Sequence, residues 1–248
     1  MIRIFLGNVG SGKTVAAVRE MYINDSERLT YSNIKTKLKN QINISPDMII
    51  KKTVTKYVTR KNGEKEPVYE YKLNSDYWKN IKEPINICID EAHSILNSRR
   101  SFSKINVIVT DFLALARRIL GHSDSGYGDF TLISQLPNRL DVICRDMATQ
   151  IRYHICHYQK RCKKCGTTWT ENSEMPESLY RCPRCLNLRL KIFGHALEIW
   201  HFSDMNKFNC WKDFGQKTFY KHYLVRDIAT FFPLYNTLEW DNMFSEYY

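Results

Sequence analysis

Short apolar runs bounded by glycines, prolines and acids recur along this chain, and stretches of helical period separate most of them. Ile2–Leu6 reads as a buried strand that runs into glycines, and Lys13–Ile23 as a helix that starts right after them. Leu29–Ser32 is a second strand. In Ile49–Leu73 two β-rich runs flank Arg60-Lys61-Asn62-Gly63, and an Asn-Gly pair between alternating Val, Tyr and Thr positions predicts a hairpin. Ser75–Lys82 predicts a short helix capped by Ser75. After Pro84, Ile85–Ile89 is an apolar strand that ends in Asp90-Glu91. Asn106–Leu120 is apolar nearly all round, the mark of a buried helix. Beyond a Gly/Ser/Asp-rich loop at Gly121–Asp129, Phe130–Ser134 is another buried strand, closed by Gln135 and Pro137. Asp141–Thr149 predicts a helix, Ile151–Tyr158 and Lys191–His201 two more strands. The aromatic tail predicts one or two helices and reads as core packing at Phe231, Phe232, Tyr235 and Trp240.

Strands that are apolar on both faces and alternate with helices imply an α/β fold with a mainly parallel sheet covered by helices. Ligands of such sheets sit at the carboxyl ends of the strands. Gly7, Asp90 and Gln135 each stand just past a predicted strand, which places three chemically useful groups on one rim.

The chemistry starts with Gly7-Asn8-Val9-Gly10-Ser11-Gly12-Lys13-Thr14, a full match to G-x-x-x-x-G-K-[ST] between a strand and a helix. Such a P-loop curls its backbone so that N–H groups face the phosphates of a nucleoside triphosphate, with the helix N-terminus behind them. Lys13 is expected to bridge the β- and γ-phosphates, and the Thr14 hydroxyl to hold Mg²⁺. Ile85–Ile89 then serves as a Walker B strand: Asp90 holds Mg²⁺ through its water shell and Glu91 polarises the attacking water. The Gln135 amide is expected to sense the γ-phosphate and the lytic water.

Cys162-Lys163-Lys164-Cys165 and Cys182-Pro183-Arg184-Cys185 are spaced as a four-thiolate zinc site, which is structural because no coordination position stays open. The segment between the pairs is too short for a core of its own, so metal must organise it. The nearby His154, His157 and His195 read as structural. The other cysteines, Cys88, Cys144, Cys156 and Cys210, are scattered and mostly lie in apolar runs, as buried free thiols do. This divides the chain into a P-loop NTPase core at 1–157 and 191–248, a basic hairpin insertion at 49–73 and a zinc-ribbon insertion at 158–190.

Charge adds a partner. The 248 residues carry 37 basic and 26 acidic side chains, a net +11. Lys51–Lys72 holds seven basic against three acidic residues and Gln159–Lys191 eight against three, so nine of the eleven excess charges fall on these two segments. That concentration points to a polyanion, most simply nucleic acid. The longest apolar stretch, Ile105–Leu120, is interrupted by Asp111, Arg117 and Arg118 and cannot span a membrane. The opening residues are too few before the glycines for a signal peptide, which leads to the expectation of a soluble, cytoplasmic protein.

Taken in order, the P-loop, the Asp90-Glu91-Ala92 strand end and Ser134-Gln135-x-Pro137 make the chain resemble the FtsK–HerA superfamily of DNA-pumping ATPases. The likeness is nearest to its Zot-like and viral genome-packaging branch, whose pattern is matched further by Arg99 or Arg100, Arg117-Arg118, Asp141 with Arg145, and Leu234-Tyr235-Asn236-Thr237-x-Glu239. The resemblance implies a RecA-like fold and ATP rather than GTP, in keeping with the absence of an Asn-Lys-x-Asp motif. It also implies a homo-oligomeric ring, hexameric or pentameric, that moves double-stranded DNA with capsid or other assembly proteins as partners, in the host cytoplasm if viral. Rings of this kind set an arginine against a neighbour's γ-phosphate; Arg118 is the first candidate, beside Arg99, Arg100, Arg117, Arg139 and Arg145. Filamentous-phage Zot proteins carry a membrane span, so packaging by a soluble motor is preferred to export. Asp90-Glu91-Ala92-His93 also resembles the DEAH helicases, whose two RecA-like domains this length cannot hold. The alternative to a motor is an ATP-dependent DNA-binding switch of the partition or replication-initiation type. A small-molecule kinase is disfavoured by the charge excess and the cysteine pairs.

Overall fold

A computed structural model describes residues 1–25, 28–60, 63–94, 96, 104–120, 128–135, 137–174 and 181–236. In chain order the elements are β1 (Ile2–Leu6), α1 (Lys13–Asn24), β2 (Thr30–Ser32), β3 (Gln41–Asn43), α2 (Pro46–Ile49), β4 (Ile50–Thr59), β5 (Lys65–Leu73) and α3 (Ser75–Lys79). They continue with β6 (Asn86–Ile89), α4 (Lys104–Ala114), α5 (Ala116–Ile119), β7 (Phe130–Ile133), α6 (Val142–Met147), β8 (Gln150–Cys162) and β9 (Thr168–Asn172). Last come β10 (Leu190–Phe202), α7 (Met205–Phe214), β11 (Lys221–Arg226) and a 3₁₀ segment at Ile228–Leu234.

The main sheet has the order β11-β10-β8-β1-β7-β6-β2-β3, with β9 paired to β8. Strands β3, β2, β6, β7, β1 and β8 run parallel, and β10, β11 and β9 join through antiparallel ladders. This is a mixed α/β fold with a mostly parallel central sheet, like that of a P-loop NTPase. The alternation of β1 explains how it is covered. Ile4 and Leu6 enter one core with Trp78, Phe112, Phe130 and Phe208, while Phe5 enters a second core with Val15, Val18 and Met21 of α1 and Ile228 of the 3₁₀ segment. A central parallel strand must be apolar on both faces, as Ile2–Leu6 largely is.

Several boundaries differ from the sequence reading. Asn74, not Ser75, precedes α3; its N–H is bound to the Ile49 carbonyl and its amide to the Asp47 carbonyl, which stops the chain one residue earlier. The predicted Asn106–Leu120 helix is broken at Leu115 into α4 and α5. The tail forms α7, but then the edge strand β11 and a 3₁₀ segment. Strands β8 and β10 run unbroken through positions 157/158 and 190/191, so those divisions fall within strands and not at linkers. β4 and β5 pair with each other in a separate two-stranded sheet, with a bulge between Val54 and Lys56. Cys88, Cys144 and Cys156 are buried, whereas Cys210 is only half-buried. Among the described residues no helix is long and apolar enough to cross a membrane.

Two histidines on the central strands make the fold acid-sensitive. His154 is fully buried, and its Nδ1 donates to the Leu6 carbonyl at 3.2 Å; burial lowers its pKa to about 3. Burial likewise brings His201 down to about 4, with Arg152 repelling the charged form. Both are neutral when folded but take up a proton near pH 6.5 when unfolded. Their contribution is therefore complete above pH 6.5 and is lost as pH falls from there toward 4 and then 3. Each is expected to cost about 2 kcal/mol of stability by pH 5. Urea midpoints at pH 7.5 and 5.0 measure the loss, and His154→Asn should shrink the difference; an unchanged difference in that variant would exclude His154 as its source.

Candidate functional site

The end of β1 hands the chain to Gly7 at φ 150, and a Cβ there would lie 2.4 Å from the Ser11 hydroxyl and 2.5 Å from the His154 carbonyl. Only glycine lets the loop turn this tightly against β8. The loop closes with the Ser11 N–H donating to the Asn8 carbonyl at 3.1 Å, and Gly12 (φ 83) precedes α1. Lys13 folds back over its own loop, donating to the Gly7 and Asn8 carbonyls at 2.9 and 2.8 Å and to the Ser11 hydroxyl at 3.3 Å. Burial lowers its pKa, while Asp90 and Glu91 act to raise it.

β6, separated from β1 by β7, brings both acids to the same rim. The Thr14 hydroxyl donates to Asp90 Oδ2 at 2.7 Å. Burial raises the Asp90 carboxyl, opposed first by the Thr14 hydrogen bond. Two adjoining hard oxygen donors beside a phosphate-binding loop suit Mg²⁺, which takes one or two protein oxygens and keeps water in its other positions. Asn33, just past β2, grips the backbone of Asp90 from both sides: Oδ1 accepts from the Asp90 N–H at 2.7 Å and Nδ2 donates to its carbonyl at 3.0 Å. Glu91 adopts φ 51, the left-handed region that side chains seldom occupy. There Gln135 Nε2 donates to its Oε1 at 2.8 Å, and His93 Nδ1 lies 3.2 Å from its Oε2.

Of these residues, Lys13, Thr14, Asn33, Asp90, Glu91 and Gln135 line a cavity of about 320 Å³. Its opposite side consists of Cys156 and Tyr158 of β8, His195 of β10, and Phe232, Tyr235 and Asn236 of the tail. The Tyr158 hydroxyl donates to the Gly10 carbonyl.

A family description of zonular occludens toxin (Zot) matches residues 1–171 of this chain. The chain belongs to the Zot family. The resemblance to the Zot-like branch is thereby borne out, and the matched span of this Zot-family chain holds the P-loop, Asp90, Glu91, Gln135 and the first cysteine pair. No curated protein matches it. Among solved structures, it is similar to the N-terminal domain of zonular occludens toxin from Neisseria meningitidis at 17% identity, over 95% of this chain and 98% of that one, with a TM-score of 0.46. It is also similar to the genome packaging NTPase B204 from Sulfolobus turreted icosahedral virus 2, solved in complex with ATP-gammaS, at 13% identity, over 61% of this chain and 74% of that one, with a TM-score of 0.35.

The remaining site residues of the Zot-family chain divide as follows. Arg118 is exposed on α5, away from the cavity lining. Leu120, two residues on, accepts from the Ile85 N–H at the end of β6 opposite to Asp90. Arg139 is exposed and Arg145 half-buried, and neither lines the cavity. Arg99, Arg100, Thr237, Glu239, Trp240 and the side chain of Arg117 lie outside the described residues.

The four cysteines converge at the far end of β8 and β10, with all Sγ atoms within 4.8 Å of one another. Cys162 and Cys185 are 3.6 Å apart, Cys165 and Cys182 3.5 Å. A tetrahedron of 2.3 Å zinc–sulfur bonds has edges of about 3.8 Å, so this donor set fits zinc. Each pair sits in the same turn: Gly166 N–H donates to the Cys162 carbonyl at 3.0 Å and Leu186 N–H to the Cys182 carbonyl at 2.9 Å. Backbone N–H groups hold the Cys162 thiol below its ordinary range.

Sequence reasoning missed Asn33, though it obeys the strand-end rule that singles out Gly7, Asp90 and Gln135. It read His195 as structural and Phe232 and Tyr235 as core packing; the latter two do pack against the second core, and all three also line the cavity.

Proposed function

We propose that this Zot-family chain is a Mg²⁺-dependent ATPase that moves double-stranded DNA as a homo-oligomeric ring, in a task of the genome-packaging kind. One observation carries the reading: P-loop, Thr14–Asp90 and Glu91–Gln135 pairs stand on one rim around one cavity. The loop N–H groups bind the triphosphate, and Lys13 exchanges the Gly7 and Asn8 carbonyls for phosphate oxygens. Thr14 and Asp90 hold the magnesium ion, which neutralises phosphate charge. Glu91 orients and deprotonates the attacking water, and Gln135 ties that carboxylate to the state of the γ-phosphate. Asn33 fixes the backbone that carries Asp90. Arg118, exposed and away from its own chain's cavity, is free in position to serve a neighbouring protomer's site.

The basic segments are the DNA-facing parts in this reading. Nearly all of β4 is exposed, and Lys52 lies 3.9 Å over the Tyr69 ring, an arrangement suited to phosphates and sugars. Zinc at the four cysteines holds the second basic segment in shape. The test is steady-state ATP turnover with and without double-stranded DNA. Stimulation of about ten-fold or more, weakened steeply by salt, is the expected result. Turnover indifferent to DNA would sink the motor, and slow turnover with ATP-dependent DNA binding would make the protein a switch.

A further inference from the structure

The phosphate-binding end occupies only part of the cavity. The same space runs on from Lys13 and Thr14 to Tyr158, His195 and Phe232. Its volume, about 320 Å³, is at the lower end of small-molecule sites, where ligands larger than a phosphate chain are held. These rings come from separate elements, β8, β10 and the 3₁₀ segment. They meet edge to face, Tyr158 on His195 at 5.6 Å and 80°, His195 on Phe232 at 5.1 Å and 84°. Unlike Phe5, Phe112, Phe130 and Phe202, which are wholly buried, all three are half-buried and border open space. Phe232 packs against the second core on one side and borders the cavity on the other.

We propose that the wall of Tyr158, His195 and Phe232 seats the base of the nucleotide whose phosphates lie on the P-loop, so that the protein selects nucleoside triphosphates over inorganic polyphosphate. The inference rests on reading the cavity as a nucleoside triphosphate site. Stacking suits any nucleobase, since every base has a π-face. Burial lowers the His195 pKa, which keeps the ring neutral at neutral pH and favours stacking on it over ionic contact. The hydroxyl of Tyr158 is engaged by Gly10, so its ring is fixed next to the phosphate loop. A bulge between Ile192 and Gly194 immediately precedes His195 and sets it directly across from Tyr158. Bulges re-aim side chains in this way beside functional sites.

Calorimetric titration of the whole chain with Mg-ATP and with Mg-tripolyphosphate tests the assignment. Phe232→Ala and His195→Ala should each weaken ATP by roughly ten-fold and leave tripolyphosphate within about two-fold, which also certifies the fold of each variant. Equal weakening of both ligands, or of neither, would overturn the base seat and leave the P-loop reading standing. If the native protein binds neither ligand, the nucleotide reading itself fails and the base seat with it. In Phe232→Trp, indole emission should be quenched by ATP and not by tripolyphosphate; absence of quenching by ATP also overturns the assignment.

Discussion

Glu91→Gln is expected to lower the steady-state rate of ATP hydrolysis by about a hundred- to a thousand-fold while Mg-ATP still binds within about three-fold of its normal affinity. The substitution keeps size and shape but removes the negative charge and the capacity to take a proton. Glu91 carries an unusual backbone, φ 51, which costs on the order of 1 kcal/mol, and its side chain meets Gln135. Both carboxylate oxygens already have companions, Gln135 at 2.8 Å and His93 at 3.2 Å, so the group is held in place before any substrate arrives. A glutamine at 91 can keep one of those contacts but cannot accept the water's proton. Lys13→Ala is the contrasting variant: it should lose affinity and turnover together, because Lys13 binds phosphate in the ground state as well. Turnover and affinity measured side by side decide the matter. A Glu91→Gln enzyme with near-normal turnover would remove Glu91 from the chemistry.

Zinc removal should have the second large effect. One equivalent of zinc per chain is expected, and its loss on chelation, or in Cys182→Ser, should abolish hydrogen-exchange protection across 163–174 and 181–190. Structural zinc supplies about 10–16 kcal/mol in small finger peptides at neutral pH, far more than the few contacts of these turns can. Cys162 and Cys182 are buried, yet around them lie mostly exposed residues, among them Leu186 at 67% and Leu188 at 65%. Among the described residues no apolar core surrounds the four cysteines that could replace the metal. Protection in β1, β6 and β7 should persist, because those strands belong to the two main cores. Reduced protein that purifies without zinc and still shows full protection at 163–174 would refute the assignment.

The legible part of this chain was the part governed by local chemistry. A P-loop needs its glycines and Lys-Thr at fixed offsets, a zinc site needs two close cysteine pairs, and both can be read without knowing the fold. Strand ends were legible too, because buried parallel strands are short apolar runs that stop abruptly at polar residues, as at Asp90 and Gln135. What escaped depends on distant partners. β3 has three residues, too few to show a period, and exists because β2 offers it an edge. β11 alternates Lys221, His222, Tyr223 and Leu224 with few apolar anchors and is recruited by β10. The aromatic wall looked like core because Phe232 and His195 carry no local sign of facing a cavity; only the antiparallel return of β10 beside β8 brings them to the P-loop. The two cysteine turns show the same contrast. Gly166, at φ 75, announces its left-handed turn, whereas Leu186 adopts φ 56 with nothing in its identity to reveal it.

β8 is one continuous strand from the sheet to the metal-binding tip. Tyr158 touches the Gly10 carbonyl, and four residues further, about 13 Å along the same extended backbone, Cys162 belongs to the cysteine tetrad. No joint interrupts that span, and β10 braces it through paired residues up to Cys162. An extended strand so braced resists stretching and passes force along its length. The P-loop and the basic tip are thus tethered to the two ends of one stiff rod.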